Sequence, residues 1–300
     1  MSSFGYAAPQ NLSEAVTLLA QNPGARVLAG GHRLLVEPQR SQLAGSLLVD
    51  LRKIAGLSGI QAQPDGGLQI GAMTTLAEIA GSQSVRNSAA ALGEAARATE
   101  DAQIRNRATL GGSLALADPE AEVAAPLIAL AAQLQIAGPQ GSRSMAAEDL
   151  ITGPFQTALR DGEVITGFTV PAAADQSGTA YERFKHPATL RAICGVAVSV
   201  MLSAGGAISA CRVAVSGATD QPARLLAVEN ALVNKKPTAE ALSSAAASIG
   251  EGLTFRGDHF ASAEYRRHLT RVLTGRALRR AADRAVSLSR TKTLSAGGDQ

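Results

Sequence analysis

Two glycine pairs, each followed by polar side chains, are the chemistry-bearing features of this 300-residue sequence. The first lies in Arg26-Val27-Leu28-Ala29-Gly30-Gly31-His32-Arg33-Leu34-Leu35 and the second in Ala108-Thr109-Leu110-Gly111-Gly112-Ser113-Leu114-Ala115-Leu116-Ala117-Asp118-Pro119. In each, a short apolar run enters the glycines and imidazole, guanidinium or hydroxyl groups follow. Glycine permits positive φ and close approach of the backbone, so successive N–H groups can point into one concavity and bind an anion. Two such loops can hold the two ends of one extended phosphate-bearing ligand; the alternative at each is a turn that only connects two elements. Neither loop is G-x-G-x-x-G and neither ends in Gly-Lys-Ser/Thr, which argues against an ordinary dinucleotide fold and against an NTPase. Asp118 is a good N-cap and Pro119 suits the first helical position, predicting a helix start there.

Other chemistries find less material. Cys194 and Cys211 are the only cysteines, too few for an iron–sulfur cluster, and both sit in apolar stretches as small buried hydrophobes would. His32, His186, His259 and His268 lack the spacing of a metal site, so metal chemistry is expected on another chain. No catalytic residue is assigned, and His32 has no visible partner that would make it a base. The net charge of +3 is mild, and with no Trp and 3% aromatics there is little to stack on bases. The arginines from Arg266 to Arg290 are therefore read as a solvated or partner-facing helix face rather than a nucleic-acid footprint. No apolar run is long enough to span a membrane and the first residues carry no signal-peptide pattern, so a cytoplasmic location is expected.

The positioning elements follow from periodicity. Asn11 and Glu14 suggest a capping box before a helix that ends at Pro23-Gly24, and Leu47 to Leu51 reads as a buried strand. Thr75 and Glu78 suggest a second box, and a helix is expected over Val85 to Ala98. A helix kinked at Pro126 should follow Pro119, then strands over 133–136, 142–145 and 163–170. Past a small, polar linker at 172–178, two apolar runs flank Gly205-Gly206 as a β-hairpin. Helices are expected at about 223–233, 238–249 and 261–285, with a frayed end from Ser287. Strands and helices mix without regular βαβ alternation, which predicts an α+β fold.

The motifs AGGHRLL at Ala29 to Leu35, QIRNRATLGGSLALADP at Gln103 to Pro119 and YERFK at Tyr181 to Lys185, in this order, resemble the FAD-binding medium subunit of molybdenum hydroxylases, the carbon monoxide dehydrogenase and xanthine dehydrogenase type enzymes. The likeness runs from about Tyr6 to about Ala285. It implies an FAD-binding domain of the PCMH type over 1–175, built from two α/β subdomains at about 1–55 and 56–175. A smaller C-terminal domain of a three-stranded antiparallel sheet and three helices over 178–286 and a flexible tail over 287–300 complete the expectation. It also implies non-covalent FAD on this chain, with a molybdenum cofactor on a large partner subunit and two [2Fe-2S] clusters on a small one, in a dimer of heterotrimers. Electrons would pass from the clusters through FAD to an external acceptor; the alternatives are a flavin-free scaffold subunit of the same complex and a free-standing nucleotide-binding protein. Neither the substrate nor the acceptor, whether quinone, oxygen or NAD, is specified.

Residue by residue, the resemblance places Ala29, Gly30, Gly31, His32, Arg33 and Leu34 on the pyrophosphate and adjacent ribityl hydroxyls, together with Thr109, Gly111, Gly112 and Ser113. Asp118 would accept from a cofactor hydroxyl, Ile165 would pack beside the ring, and Lys185 would lie near the isoalloxazine and favour its anionic reduced form. Three departures from the family pattern stand out. Arg33 replaces a small hydroxyl residue, Glu122 stands where many relatives have Asp, and Thr189-Leu190-Arg191-Ala192 replaces a stretch that usually carries Asp, leaving Arg191 to gate the acceptor side.

Overall fold

The structure, a computed structural model, describes residues 4–36, 43–188, 191–250 and 252–296, with side chains placed as far as Ser287. Pro38, Thr189 and Leu190 lie outside the described residues.

The chain opens with β1 (Gly5–Ala7), α1 (Leu12–Gln21), β2 (Arg26–Leu28) and β3 (Leu47–Asp50), whose strands form a parallel sheet ordered β1-β3-β2. The Asn11 side chain accepts from the Glu14 N–H as expected of an N-cap, while the Glu14 carboxylate reaches back to the Gln10 N–H instead of closing a box on Asn11. Strands of three or four residues cannot bury a core alone. Met73 and Val164 from the next subdomain complete the cluster around Ala15, Val49 and Leu51.

The second subdomain holds β4 (Ile60–Ala62), β5 (Leu68–Gly71), α2 (Leu76–Gly81), α3 (Gln83–Ser88), α4 (Ala90–Ala98), α5 (Ala102–Arg105), α6 (Leu110–Ala115) and α7 (Ala124–Ala129). It continues through β6 (Gln133–Gly138), β7 (Gly141–Ala146), β8 (Ile151–Gly153), β9 (Gln156–Thr157) and β10 (Val164–Val170). The main sheet is antiparallel, in the order β4-β5-β10-β6-β7, and Ile70, Phe168 and Leu134 form one apolar row across it. Thr75 and Glu78 do form the reciprocal capping box. The helix expected over Val85 to Ala98 is two helices, broken where Ala89 takes φ −143°. The helix expected directly after Pro119 starts only at Ala124. Asp118 instead closes a tight turn, its carboxylate accepting from the Glu120 N–H, and Pro126 sits in the first turn of α7, where a missing N–H costs nothing.

The last unit contains β11 (Ser177–Lys185), β12 (Ala192–Leu202), β13 (Ile208–Ser216) and β14 (Ala223–Arg224), then α8 (Leu226–Leu232), α9 (Ala239–Ala247) and α10 (Ala263–Ala296). The three expected antiparallel strands carry a two-residue fourth at the edge, which takes the start of the helix expected from 223. The hairpin at Gly205-Gly206 pairs Leu202 with Ile208. α10 continues to Ala296, so most of the segment expected as a frayed end is helical.

Candidate functional site

The glycine pairs do build one site, largely by packing rather than by freeing the backbone. A Cβ on Gly30 would lie 1.7 Å from the Arg107 carbonyl oxygen, and one on Gly112 would approach Ala29 Cβ at 3.4 Å, so the two loops rest directly on each other. A Cβ on Gly111 would meet Ala72 Cβ at 2.7 Å and its carbonyl at 2.9 Å. Only Gly31 uses the left-handed region, at φ +76°. Gly111 and Gly112 lie inside α6, capped by Thr109, and their amides are already committed. Gly111 N–H donates to the Ala72 carbonyl at 2.8 Å, Gly112 N–H to Thr109 Oγ1 at 3.1 Å and Ser113 N–H to the Thr109 carbonyl at 2.9 Å. Leu110 N–H likewise donates to the Thr74 carbonyl at 2.9 Å, so the expected backbone donation is narrowed: among the described residues the Thr109 N–H has no acceptor, and beside it stand the Ser113 hydroxyl and the hydroxyl proton of Thr109. In the first loop the reverse holds. Among the described residues the amides of 29–34 have no acceptor, and these six residues line a cleft.

That cleft has a volume of about 510 Å³ and is walled by both loops, by the start of β10 and by Arg191 from the C-terminal domain. Ala29, Gly30, Gly31, His32, Arg33, Leu34, Thr109, Gly111, Gly112, Ser113, Asp118 and Ile165 all line it. An irregularity in the β10–β6 register after Ile165 accompanies the consecutive placement of Val164 and Ile165 in the wall. Lys185 is not part of the lining. Its ammonium holds both carboxylate oxygens of Glu100 at 2.6 Å, and it is Glu100 that faces the cleft.

Charge at the cleft is organised by arginines. Arg33, from the first subdomain, and Arg191, from the C-terminal domain, both pair with Asp118, Arg191 at 2.8 Å. Arg191 also pairs with Glu120, which stands 3.6 Å from Arg256. Arg256 and the fully buried Arg266 then share Asp258 at 2.6 and 2.7 Å. The run from Arg33 to Arg266 has four guanidinium groups against three carboxylates, so it carries a positive surplus. Burial pushes the Glu120 carboxyl above the usual carboxylate range, with Arg191 opposing, and does the same to Glu122, which Arg183 holds. Burial lowers His32, and Arg33 adds to the effect, so His32 is neutral at pH 7. The Asp118 carboxylate is engaged by two guanidiniums and by its own turn.

Unpaired amides on one wall, hydroxyls on the other and the Arg33 guanidinium between them form a donor set that fits a diphosphate, while the rest of the lining is acidic, with Glu100, Asp101, Asp118, Glu120, Glu122 and Glu163 against Arg26, Arg33 and Arg191. Glu100 and Glu120 join this site without a motif to announce them. Glu120 is one residue past the Asp-Pro step that was already singled out, and the Asp-Pro-Glu acid pair was the available signal. Glu100 meets Lys185 across 85 positions of sequence, a pairing that only the fold shows.

Comparison with known proteins agrees with this architecture. Residues 2–173 match the family described as the FAD binding domain in molybdopterin dehydrogenase, and residues 179–281 match the CO dehydrogenase flavoprotein C-terminal domain. The chain is 30% identical to the glyceraldehyde dehydrogenase medium chain of Sulfolobus acidocaldarius over 93% of this chain and 98% of that one. It is 35% identical to the carbon monoxide dehydrogenase medium chain of Hydrogenophaga pseudoflava over 81% and 84%. Among solved structures, carbon monoxide dehydrogenase from the same organism, in a form lacking the Mo-pyranopterin moiety, superposes with a TM-score of 0.88 at 34% identity, covering 94% of this chain and 98% of that one. Quinoline 2-oxidoreductase from Pseudomonas putida 86 follows at 0.86 and 31%, with the same coverage. The chain therefore belongs to the FAD-binding medium subunits of the molybdenum hydroxylases.

Proposed function

We propose that the chain is the electron-transfer subunit of its complex, taking electrons from iron–sulfur clusters on a small partner and passing them through FAD to an external acceptor, while substrate is oxidised on a large molybdenum subunit. The observation that carries this reading is the cleft in which three parts of the chain converge on one ligand-sized space. FAD, when bound, supplies the redox chemistry; the chain's own residues bind, orient and tune. The amides of 29–34 and the hydroxyls of Thr109 and Ser113, all on residues that line the cleft, would donate to phosphate and ribityl oxygens, each charge-assisted bond contributing about 1.5–3 kcal/mol, so a few suffice without a covalent link. Arg33, now paired with Asp118, would hold a phosphate of the bound cofactor, and Asp118 would then accept from a cofactor hydroxyl. Ile165 and Val164 exclude water along one wall, and Arg191 controls the mouth on the acceptor side. The relatives are named as medium chains and complex subunits, which supports assembly with a large and a small chain; a dimer of heterotrimers is the arrangement proposed for that assembly. Nothing in the cleft favours the flavin-free reading.

The test is a visible absorption spectrum of the chain purified with its partner subunits, followed by chromatography of the acid-released cofactor. About one FAD per chain beside iron–sulfur absorbance is the expected result. Partners without flavin would refute the electron-transfer role. Rapid mixing of the reduced complex with a quinone, with oxygen and with NAD then identifies the acceptor by which one reoxidises the flavin bands.

A further inference from the structure

The positive charge of the chain is concentrated on one helix. α10 holds nine Arg and Lys residues against two acids, Glu264 and Asp283, whereas the whole chain has a net charge of +3, so everything outside this helix is acidic on balance. Between those two acids the sequence places six arginines and no carboxylate. Two of the six are engaged within the protein, Arg266 on Asp258 and Arg280 on Glu94 and Glu182. The other four, Arg267, Arg271, Arg276 and Arg279, are exposed, and among the described residues none of them has an ion pair or a hydrogen bond. Their spacing of four, five and three residues sets them along one side of the helix over about 18 Å. Tyr265, 41% exposed, flanks the start of this row and meets the exposed Phe184 ring edge-on at 6.0 Å.

We propose that this face of α10 docks the protein reversibly on an anionic lipid bilayer. Four uncompensated guanidiniums in a row are matched by a plane of phosphate headgroups, which demands no fixed register, and a tyrosine at the edge of the row suits the headgroup level, where one end of the ring is apolar and the other wet. The acidic remainder of the chain is repelled by the same plane, so the charge asymmetry turns α10 towards it before contact. A permanent subunit contact fits the face less well. The centre of such an interface is mostly apolar, and here only the half-buried Val272 and Gly275 lie among the four charges. A nucleic acid would meet the same cations with few rings to stack on its bases.

The full chain, alone and assembled with its partner subunits, is sedimented with vesicles of phosphatidylcholine and with vesicles of phosphatidylcholine and phosphatidylglycerol at about 7:3, in about 0.05 M and about 0.5 M salt. Both forms are expected to sediment with the anionic vesicles at low salt only, and with the neutral vesicles at neither. Arg271→Glu with Arg279→Glu should bind about a hundredfold more weakly, since each guanidinium near the surface contributes about fivefold and each new carboxylate opposes it. Arg271→Gln with Arg279→Gln, which removes charge without adding any, should fall between that variant and the parent. Lys53→Glu with Arg86→Glu makes the same change in net charge at exposed positions of the FAD-binding part and should sediment like the parent. Thermal melts of all the variants should match, because none of the four positions is buried. A parent that stays in solution with anionic vesicles, or a Lys53/Arg86 variant weakened as much as the Arg271/Arg279 variant, overturns the proposal. Binding by the isolated chain that vanishes in the assembled complex also overturns it and assigns the face to a subunit contact.

Discussion

Lys185 stands one layer back from the cleft, and its influence on a bound flavin must pass through Glu100, whose carboxylate it neutralises. In Lys185→Met that carboxylate keeps its charge beside the cleft, so the flavin should become harder to reduce while its occupancy changes little. A redox titration of the purified complex reads this directly, and an unchanged potential would leave Lys185 as an ordinary surface pair. The cysteines are the opposite case, fully legible in the sequence from their apolar neighbours. Burial pushes both thiols up to about 12, so native protein should not react with a thiol reagent at pH 8 and should release two equivalents after denaturation. The neutral thiols favour the folded state up to about pH 9, and that contribution is lost as pH rises towards 12. The types of the residues in the cleft could be read in advance. Their partners could not, because Arg33 and Asp118 meet across 85 positions and Arg191 and Asp118 across 73.

The glycine pairs show where element-level reading succeeded and where it failed. Their composition located both loops, but a glycine that frees an amide and a glycine that admits a neighbour look alike in sequence. At Gly30, Gly111 and Gly112 the neighbour decides. Gly111→Val should therefore lift α6 off Ala72 and cost about 3 kcal/mol, with flavin lost through displaced hydroxyls, whereas Gly31→Ala should lose affinity through the backbone of the first loop. Thermal melts of the apo chain separate the two: the first variant melts early, the second by about 1 kcal/mol less. Asp258 offers a test at the other end of the arginine run. Hydrogen bonds from Arg266 and Arg256 outweigh its burial and hold its carboxyl below the usual range, so its stabilisation is present above about pH 4 and disappears as pH falls. Asp258→Asn leaves the buried Arg266 guanidinium uncompensated and should cost about 3 kcal/mol at pH 7, a difference from the parent that narrows on acidification.

Across the whole molecule, the FAD-binding part and the C-terminal part are joined by a polar seam. Glu94 on α4 accepts from the Tyr181 N–H at 2.8 Å and pairs with Arg280 and Arg284 of α10 at 2.6 and 2.5 Å. The arginines of that helix thus serve an internal seam as well as a surface, which a sequence reading of charge alone could not tell apart. Beneath the seam the two parts share one hydrophobic cluster, in which Tyr181, Ala197 and Ala214 lie with residues of α4, α7 and the main sheet. Two families of sequence thus meet at residues 173–179, yet no such border exists in the core. Calorimetry should record a single unfolding transition, and a fragment ending near 175 should bind hydrophobic dyes instead of folding. During synthesis the consequence is one of timing. The first half leaves the ribosome with an apolar face open, and that face stays exposed to chaperones and to aggregation until β11 to β13 have been made.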